Sequence, residues 1–314
     1  MKYHHLPYII AAVLVTVTAL TYADNQPRVL ASIRPLALLA EQIVGERGHV
    51  EVLLPSDASA HHYALKISDR QRLLAADTVL WIGEELEGFL AKPIAQRQAG
   101  VITSMHLEGI EWPDTSGRKG SREAHGSHHH GDRDPHIWLN PLNNIPIVNA
   151  LLKELIQQAP ANASYYQARA QRLKLALQQL DQVILEKMQP LQKVSFIVAH
   201  PAYDHFVNRY GLQQLDYIAL TPERHAGAKH LYQLRQENIA RCVFSDYGFP
   251  NKKASQLASD LNIPLLSLNP LGVPVVAMKS DEPSEGKGAK NINTLLALIE
   301  QLAEGFERCL SAKK

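Results

Sequence analysis

"PANASYYQARAQRLKLALQQLDQVILEKM", residues 160–188, is the longest periodic element in the chain. Leu173, Leu177, Leu180, Ile184 and Met188 recur at spacings of three and four, the period of one helix face. At about 1.5 Å per residue, a helix of about 28 residues spans about 40 Å. That is long enough to cross a whole two-domain molecule, and the 314 residues around it are too many for one small core.

On either side the same rhythm recurs. Before the helix, short apolar runs at 29–33, 50–54, 77–82 and 101–104 read as strands. Between them, Pro35 opens a helix carrying Leu36, Leu39, Ile43 and Val44, Ser68 caps another, and Leu86–Ala95 reads as a third. Asn140 caps a further helix with Pro141 at its first position. After the long helix, strands at 194–199, 215–220, 242–246 and 263–268 alternate with helices at 202–210, 228–240 and 251–261. A last helix runs from about Ile292 to Leu310. Strands separated by helices predict parallel sheets with crossover connections, an α/β molecule of two lobes.

The chain starts with a positive residue, Lys2, then an apolar run from Leu6 to Leu20 and small residues at Thr21 and Ala23. The run is shorter than the roughly 20 apolar residues of a spanning helix. It reads as a secretory signal cut after Ala23, with an uncleaved anchor as the other reading. The expected organisation is then 1–23 signal peptide, 24–159 first lobe, 160–190 linking helix and 191–314 second lobe. Removing the signal leaves 31 basic against 31 acidic residues, so no basic surplus draws nucleic acid or anionic lipid. The two cysteines, Cys242 and Cys309, are either a disulfide, which export permits, or two buried thiols.

Residues 113–135, PDTSGRKGSREAHGSHHHGDRDP, interrupt the rhythm. Poor in large apolar groups, they read as a mobile surface loop, and His125, His128, His129 and His130 in it form at most a weak metal site. Three other histidines lie where strands end, the place at which parallel sheets bind ligands. His61 follows the strand 50–54, His136 follows the fourth strand, and His200 ends VSFIVA. Together they would form an interlobe site, and neutral imidazoles suit zinc. On spacing alone, a histidine after a strand is more often a hydrogen-bonded structural residue.

The stretches PSDASAHHYALKISDRQRLLAADTVLWIGEELEGFL at 55–90, HIWLNP at 136–141, VAHPAYDHFVNRYGL at 198–212, CVFSD at 242–246 and LNPLG at 268–272 carry a resemblance. With them, the mature chain resembles the metal-binding (cluster A-I) solute-binding proteins of ABC transporters, the zinc-binding periplasmic type most closely. The His-rich loop before HIWLNP is a trait of that type. The resemblance implies two α/β lobes joined by a rigid helix, with small movements on binding. It makes His61, His136 and His200 the metal ligands and pairs Cys242 with Cys309. It implies Zn(2+) as cargo, an inner-membrane ABC permease with its cytoplasmic ATPase as partner, a periplasmic location and a monomer.

The chain departs from the family pattern at three places. His62 stands where an aspartate is usual, Ala60 where zinc-type members sometimes carry glutamate, and Asn269 where an aspartate or glutamate is usual. Water or the Asn269 amide oxygen is therefore the expected fourth ligand. Three neutral imidazoles favour zinc over manganese, a hard ion that prefers carboxylate oxygen. A metallohydrolase also uses three histidines and an open position. It needs a general base as well, and no H-E-x-x-H motif appears. Asp204 and Asp246, the acids nearest the ligand motifs, read as supports for a histidine.

Overall fold

A computed structural model describes residues 26–98, 100–114, 133–219, 221, 227–236, 239–249, 251–274 and 292–312. The expected signal segment and the loop histidines His125, His128, His129 and His130 lie outside the described residues. No described helix is long and apolar enough to cross a membrane.

Strands β1 (Arg28–Ala31), β2 (His49–Val52), β3 (Thr78–Trp81) and β4 (Val101–Thr103) form one sheet in the order β2-β1-β3-β4. Strands β5 (Ser195–Val198), β6 (Gln213–Tyr217), β7 (Val243–Asp246) and β8 (Leu265–Leu268) form a second in the order β6-β5-β7-β8. Every neighbouring pair is parallel. The sequences explain their places. The inner strands β3, β5 and β7 are buried along their whole length, as strands covered on both faces must be, whereas the edge strands HVEV and QQLDY keep polar residues in water. In each sheet the chain leaves the first strand to one side and returns on the other. That makes a crevice at the carboxyl ends of β1/β3 and of β5/β7.

The long helix is α5 (Ala163–Met188), entered through a single 3₁₀ turn at Pro160–Asn162. Leu173, Leu177, Ile184 and Met188 are buried on the expected face. This face packs on α1 (Arg34–Val44), α4 (Asn144–Gln158) and α9 (Leu295–Leu310). One apolar core runs through both lobes, from Leu36 and Leu39 of α1 through Leu177 to Phe206 and Phe306. A smaller core, with Ile197, Val243, Leu234 and Leu257, lies in the second lobe against α7 (Ala228–Gln236) and α8 (Lys252–Leu261). A core shared across the junction resists wide hinge opening, because separating the lobes would expose it to water.

Polar contacts fix the same junction. Asp181 of α5 is fully buried, and accepts from Arg209 Nε at 2.8 Å and Nη2 at 2.5 Å. It also accepts the Tyr210 hydroxyl at 3.2 Å. Both partners sit on α6 (Asp204–Tyr210), so the second lobe is bonded to the helix that joins it to the first. Cys242 and Cys309 form a disulfide between the start of β7 and α9, closing a sequence separation of 67.

Three local expectations shift. Leu86–Ala95 is a turn and a 3₁₀ segment before the short α3 (Ala91–Ala95), not one helix. Glu87 takes a non-helical backbone there, because its carboxylate turns inward to accept the Ile82 and Gly83 amides at 3.1 Å each. Asn140 accepts the Leu142 amide at 3.0 Å, but it caps a 3₁₀ turn with Pro141, and α4 begins only at Asn144. Likewise α2 (Ile67–Ala75) starts one residue before Ser68, with the Lys66 amide bonded to Asp69 Oδ2 at 2.9 Å.

Candidate metal centre

His61 sits in the turn between β2 and α2, and its amide bonds the Ser59 hydroxyl at 3.2 Å. His136 opens the 3₁₀ turn Ile137–Leu139, whose Trp138 is fully buried. His200 follows β5 at the carboxyl end of the second sheet. The fold brings the three rings together, with centroids 5.4 Å (His61–His136), 6.0 Å (His61–His200) and 5.5 Å (His136–His200) apart. One ring nitrogen from each lies within 4.8 Å of the others. Tetrahedral zinc with bonds of about 2.0–2.1 Å places nitrogens about 3.3 Å apart, so shifts of about an ångström suffice to close such a set.

Two of the rings are oriented by carboxylates. His200 Nδ1 meets Asp246 Oδ2 at 2.5 Å, and the other oxygen of Asp246 accepts the Tyr203 hydroxyl at 2.5 Å. His136 Nδ1 meets Asp134 Oδ1 at 2.6 Å, and that oxygen also accepts the His136 amide at 3.0 Å. With Nδ1–H committed to the acid, Nε2 is the lone-pair donor of each ring, the arrangement that orients metal-ligating histidines. His200 and Asp246 close β5 and β7, so this pair straddles the crevice of the second sheet. In the first sheet the corresponding crevice is filled by Ser32 and Glu87, whose side chains hydrogen-bond.

The electrostatics match. Burial, then the neighbouring His136 and His200, pushes the His61 imidazole from 6.5 down to about 2, which keeps it neutral. Burial opposes ionisation of Asp134, yet His136 beside it holds that carboxyl below the usual range. Burial together with the Asp246 carboxylate drives the Tyr203 phenol well above 10, so it stays a donor. Ser59, Ala60, Tyr247, Phe249, Pro270 and Leu271 complete the cavity wall around the imidazoles and Asp246.

Asn269 is placed differently from the other three candidates. Its Oδ1 accepts the Val273 amide at 2.8 Å and its Nδ2 donates to the Val273 carbonyl at 2.9 Å. Both amide atoms thus close the LNPLG turn, in which Gly272 has φ +65°, and Asn269 does not line the cavity. Of the two acids singled out in the sequence, Asp246 bonds a candidate ligand, while Asp204 starts α6. Asp134, which the sequence pattern places in the polar loop 113–135 but the fold buries against His136, and Tyr203 are supporting groups that sequence reasoning does not single out. The spacing D-P-H at 134–136 was the available signal for the first.

The chain matches the model of the zinc-uptake complex component A periplasmic family over residues 29–307. It belongs to that family. The high-affinity zinc uptake system protein ZnuA of Yersinia pestis is 34% identical over 301 residues, 90% of this chain and 91% of that relative. The ZnuA of Haemophilus ducreyi is 27% identical, over 96% of this chain and 98% of its own. Among solved structures, a zinc-bound 138–173 deletion mutant of ZnuA superposes with a TM-score of 0.73 at 24% identity, covering 92% of this chain and all of that one. The periplasmic zinc-binding protein TroA of Treponema pallidum gives 0.71 at 19% identity, over 91% and 99% of the two chains. These likenesses fix the fold as the family's two lobes on one long helix, and the family is a periplasmic solute-binding component of zinc uptake.

Proposed function

We propose that this family member captures Zn(2+) between His61, His136 and His200 and delivers it to an ABC-type import permease with its cytoplasmic ATPase. The observation that carries this reading is the convergence of three imidazoles from both lobes, with ring nitrogens within 4.8 Å, two of them backed by carboxylates. Zinc bound there is cargo. The Asn269 amide is satisfied within its own turn, so the fourth position falls to water. The open position does not make the site hydrolytic. Of the residues lining the cavity the carboxylate is Asp246, and both its oxygens are committed, to His200 and Tyr203. A general base must be free to take a proton from bound water.

Export with cleavage after Ala23, a monomeric mature protein, and lobes bounded at 24–159 and 191–314 with 160–190 between them complete the proposal. Calorimetric titration of the metal-free protein tests it. One tight zinc ion per chain is expected, lost in the triple alanine variant of His61, His136 and His200. Tight binding that survives in that variant would overturn the reading.

A further inference from the structure

We propose that His205 is a positioning residue for zinc binding, holding from the second lobe the segment that carries His136 on the first. This rests on His136 being a zinc ligand. His205 lies on α6, 2% exposed, and touches none of the three candidate ligands through a hydrogen bond. Its Nε2 is 2.9 Å from the Asp134 backbone carbonyl, and its Nδ1 is 3.1 Å from Asn143 Nδ2.

The neighbours dictate the proton's place. Asn143 Oδ1 accepts the Glu111 amide at 2.7 Å, and Asn143 Nδ2 donates to the Glu111 carbonyl at 3.0 Å. The Asn143 amide is therefore oriented at both ends, and it presents an N–H to His205 Nδ1. The Glu111 carbonyl also neighbours the ring, but it already accepts from Asn143, so Nδ1 accepts from Asn143 Nδ2, and Nε2 carries the hydrogen and donates it to the Asp134 carbonyl. The same Asp134 grips His136 through its carboxylate. The result is a chain of contacts from His205 through Asp134 to His136.

His205 is also bound to the other side of the site. It stands five residues after His200, and the intervening Ala202 amide bonds the His200 carbonyl at 2.9 Å. Tyr203 and Phe206, on either side of the pair Asp204–His205, are fully buried. One packed unit of the second lobe thus supplies a ligand, His200, and the group that fixes the ligand of the opposite lobe. His205 sets the separation of His136 from His200 before metal arrives. Such preorganisation lowers the cost of closing the site and slows release.

The test compares two amides in the full-length protein. A glutamine amide nitrogen reaches near the imidazole Nε2 position, whereas an asparagine reaches only near Nδ1. His205→Gln keeps the donor to Asp134, and His205→Asn loses it while still meeting Asn143. Zinc release into a chelator is followed by stopped flow, alongside the melting temperature of the metal-free forms. We expect His205→Gln to release zinc within about twofold of the parent and His205→Asn about tenfold faster, the low end for loss of a supporting group. Metal-free melting temperatures should match between the two variants. Equal release from both, or release that merely follows melting temperature, overturns the role.

His136→Ala separates the two claims. If it leaves tight binding intact, the ligand reading fails and this inference with it. If it removes binding while His205→Asn behaves as the parent, only the positioning role fails. Nitrogen NMR of the parent imidazoles checks the geometry without any variant. It should find His205 as the neutral Nε2–H form, and an Nδ1–H form would contradict the contact chain.

Discussion

Asp246 holds two side chains at once, His200 through one oxygen at 2.5 Å and the Tyr203 hydroxyl through the other at 2.5 Å. All three are at least nine-tenths buried. The carboxylate at the end of β7 thereby locks a ring at the end of β5, and two neighbouring strands determine which nitrogen of His200 is offered to a metal. Asp246→Asn keeps the shape of that side chain but removes its charge and one acceptor. Zinc affinity should fall about 10–100-fold by calorimetry, with Tyr203→Phe milder because His200 keeps its carboxylate. Unchanged affinity in Asp246→Asn would contradict this account of the pair.

His200 stands on the second lobe, whereas His61 and His136 stand on the first. Replacing it by alanine removes a coordinate bond and the only direct ligand link between the proposed halves of the site. His200→Ala should weaken zinc binding at least about tenfold. Affinity equal to the parent's would remove His200 from the ligand set.

Acid should destabilise the metal-free protein in a defined window. The folded-state value of His61 is pushed from 6.5 to about 2, and burial also lowers His205. Below about pH 6.5 the unfolded chain binds protons that the folded chain refuses. Stability is full above that pH and falls as pH drops toward the folded values, by at most about 1.4 kcal/mol per pH unit for each such histidine. Thermal melts of the metal-free protein from pH 7.5 to 5 should show the loss. His61→Ala should show a shallower slope, and an identical slope would assign the acid sensitivity elsewhere.

The Cys242–Cys309 bridge shares no residue with the cavity wall. Thiol counting on denatured, unreduced protein from the oxidising compartment should find none free. Reduction should lower stability by about 2–4 kcal/mol and leave zinc stoichiometry unchanged. Two free thiols in that protein would refute the bond.

The loop histidines His125, His128, His129 and His130 fall outside the described residues, and their role is a proposal from sequence. The sequence there is rich in Gly and charge and poor in large apolar groups, so a zinc site on it is expected to cost ordering entropy and to be weaker than the proposed centre on His61, His136 and His200. Deleting residues 117–132 should remove a weak class of zinc binding in calorimetry and leave the tight one. Loss of the tight class would make the loop the primary site.

Much of the architecture was legible because period and punctuation are local signals. The leucine spacing of 173–188 marked the long helix, and the apolar runs marked the sheets. The three histidines were legible as strand-end residues, but the resemblance to a family singled them out from the others. What stayed hidden depends on contacts between distant segments. Glu87 breaks an expected helix because its carboxylate finds backbone amides just behind it. For the fourth ligand the sequence leaves water and Asn269 side by side, and the bonds of the Asn269 amide to Val273, four residues away, depend on a backbone path the sequence does not reveal. His205 reads as one more polar residue on a short helix, and its partners, Asp134 and Asn143, come from the other side of the long helix in sequence.

Zinc is proposed to sit between the lobes on His61, His136 and His200. Anomalous diffraction at the zinc edge from zinc-loaded crystals locates the ion itself. One dominant peak is expected within about 2.0–2.1 Å of a ring nitrogen of each of the three histidines, with Asn269 still bonded to Val273. A dominant peak on the loop histidines, or one that lacks His200 as a neighbour, would contradict it.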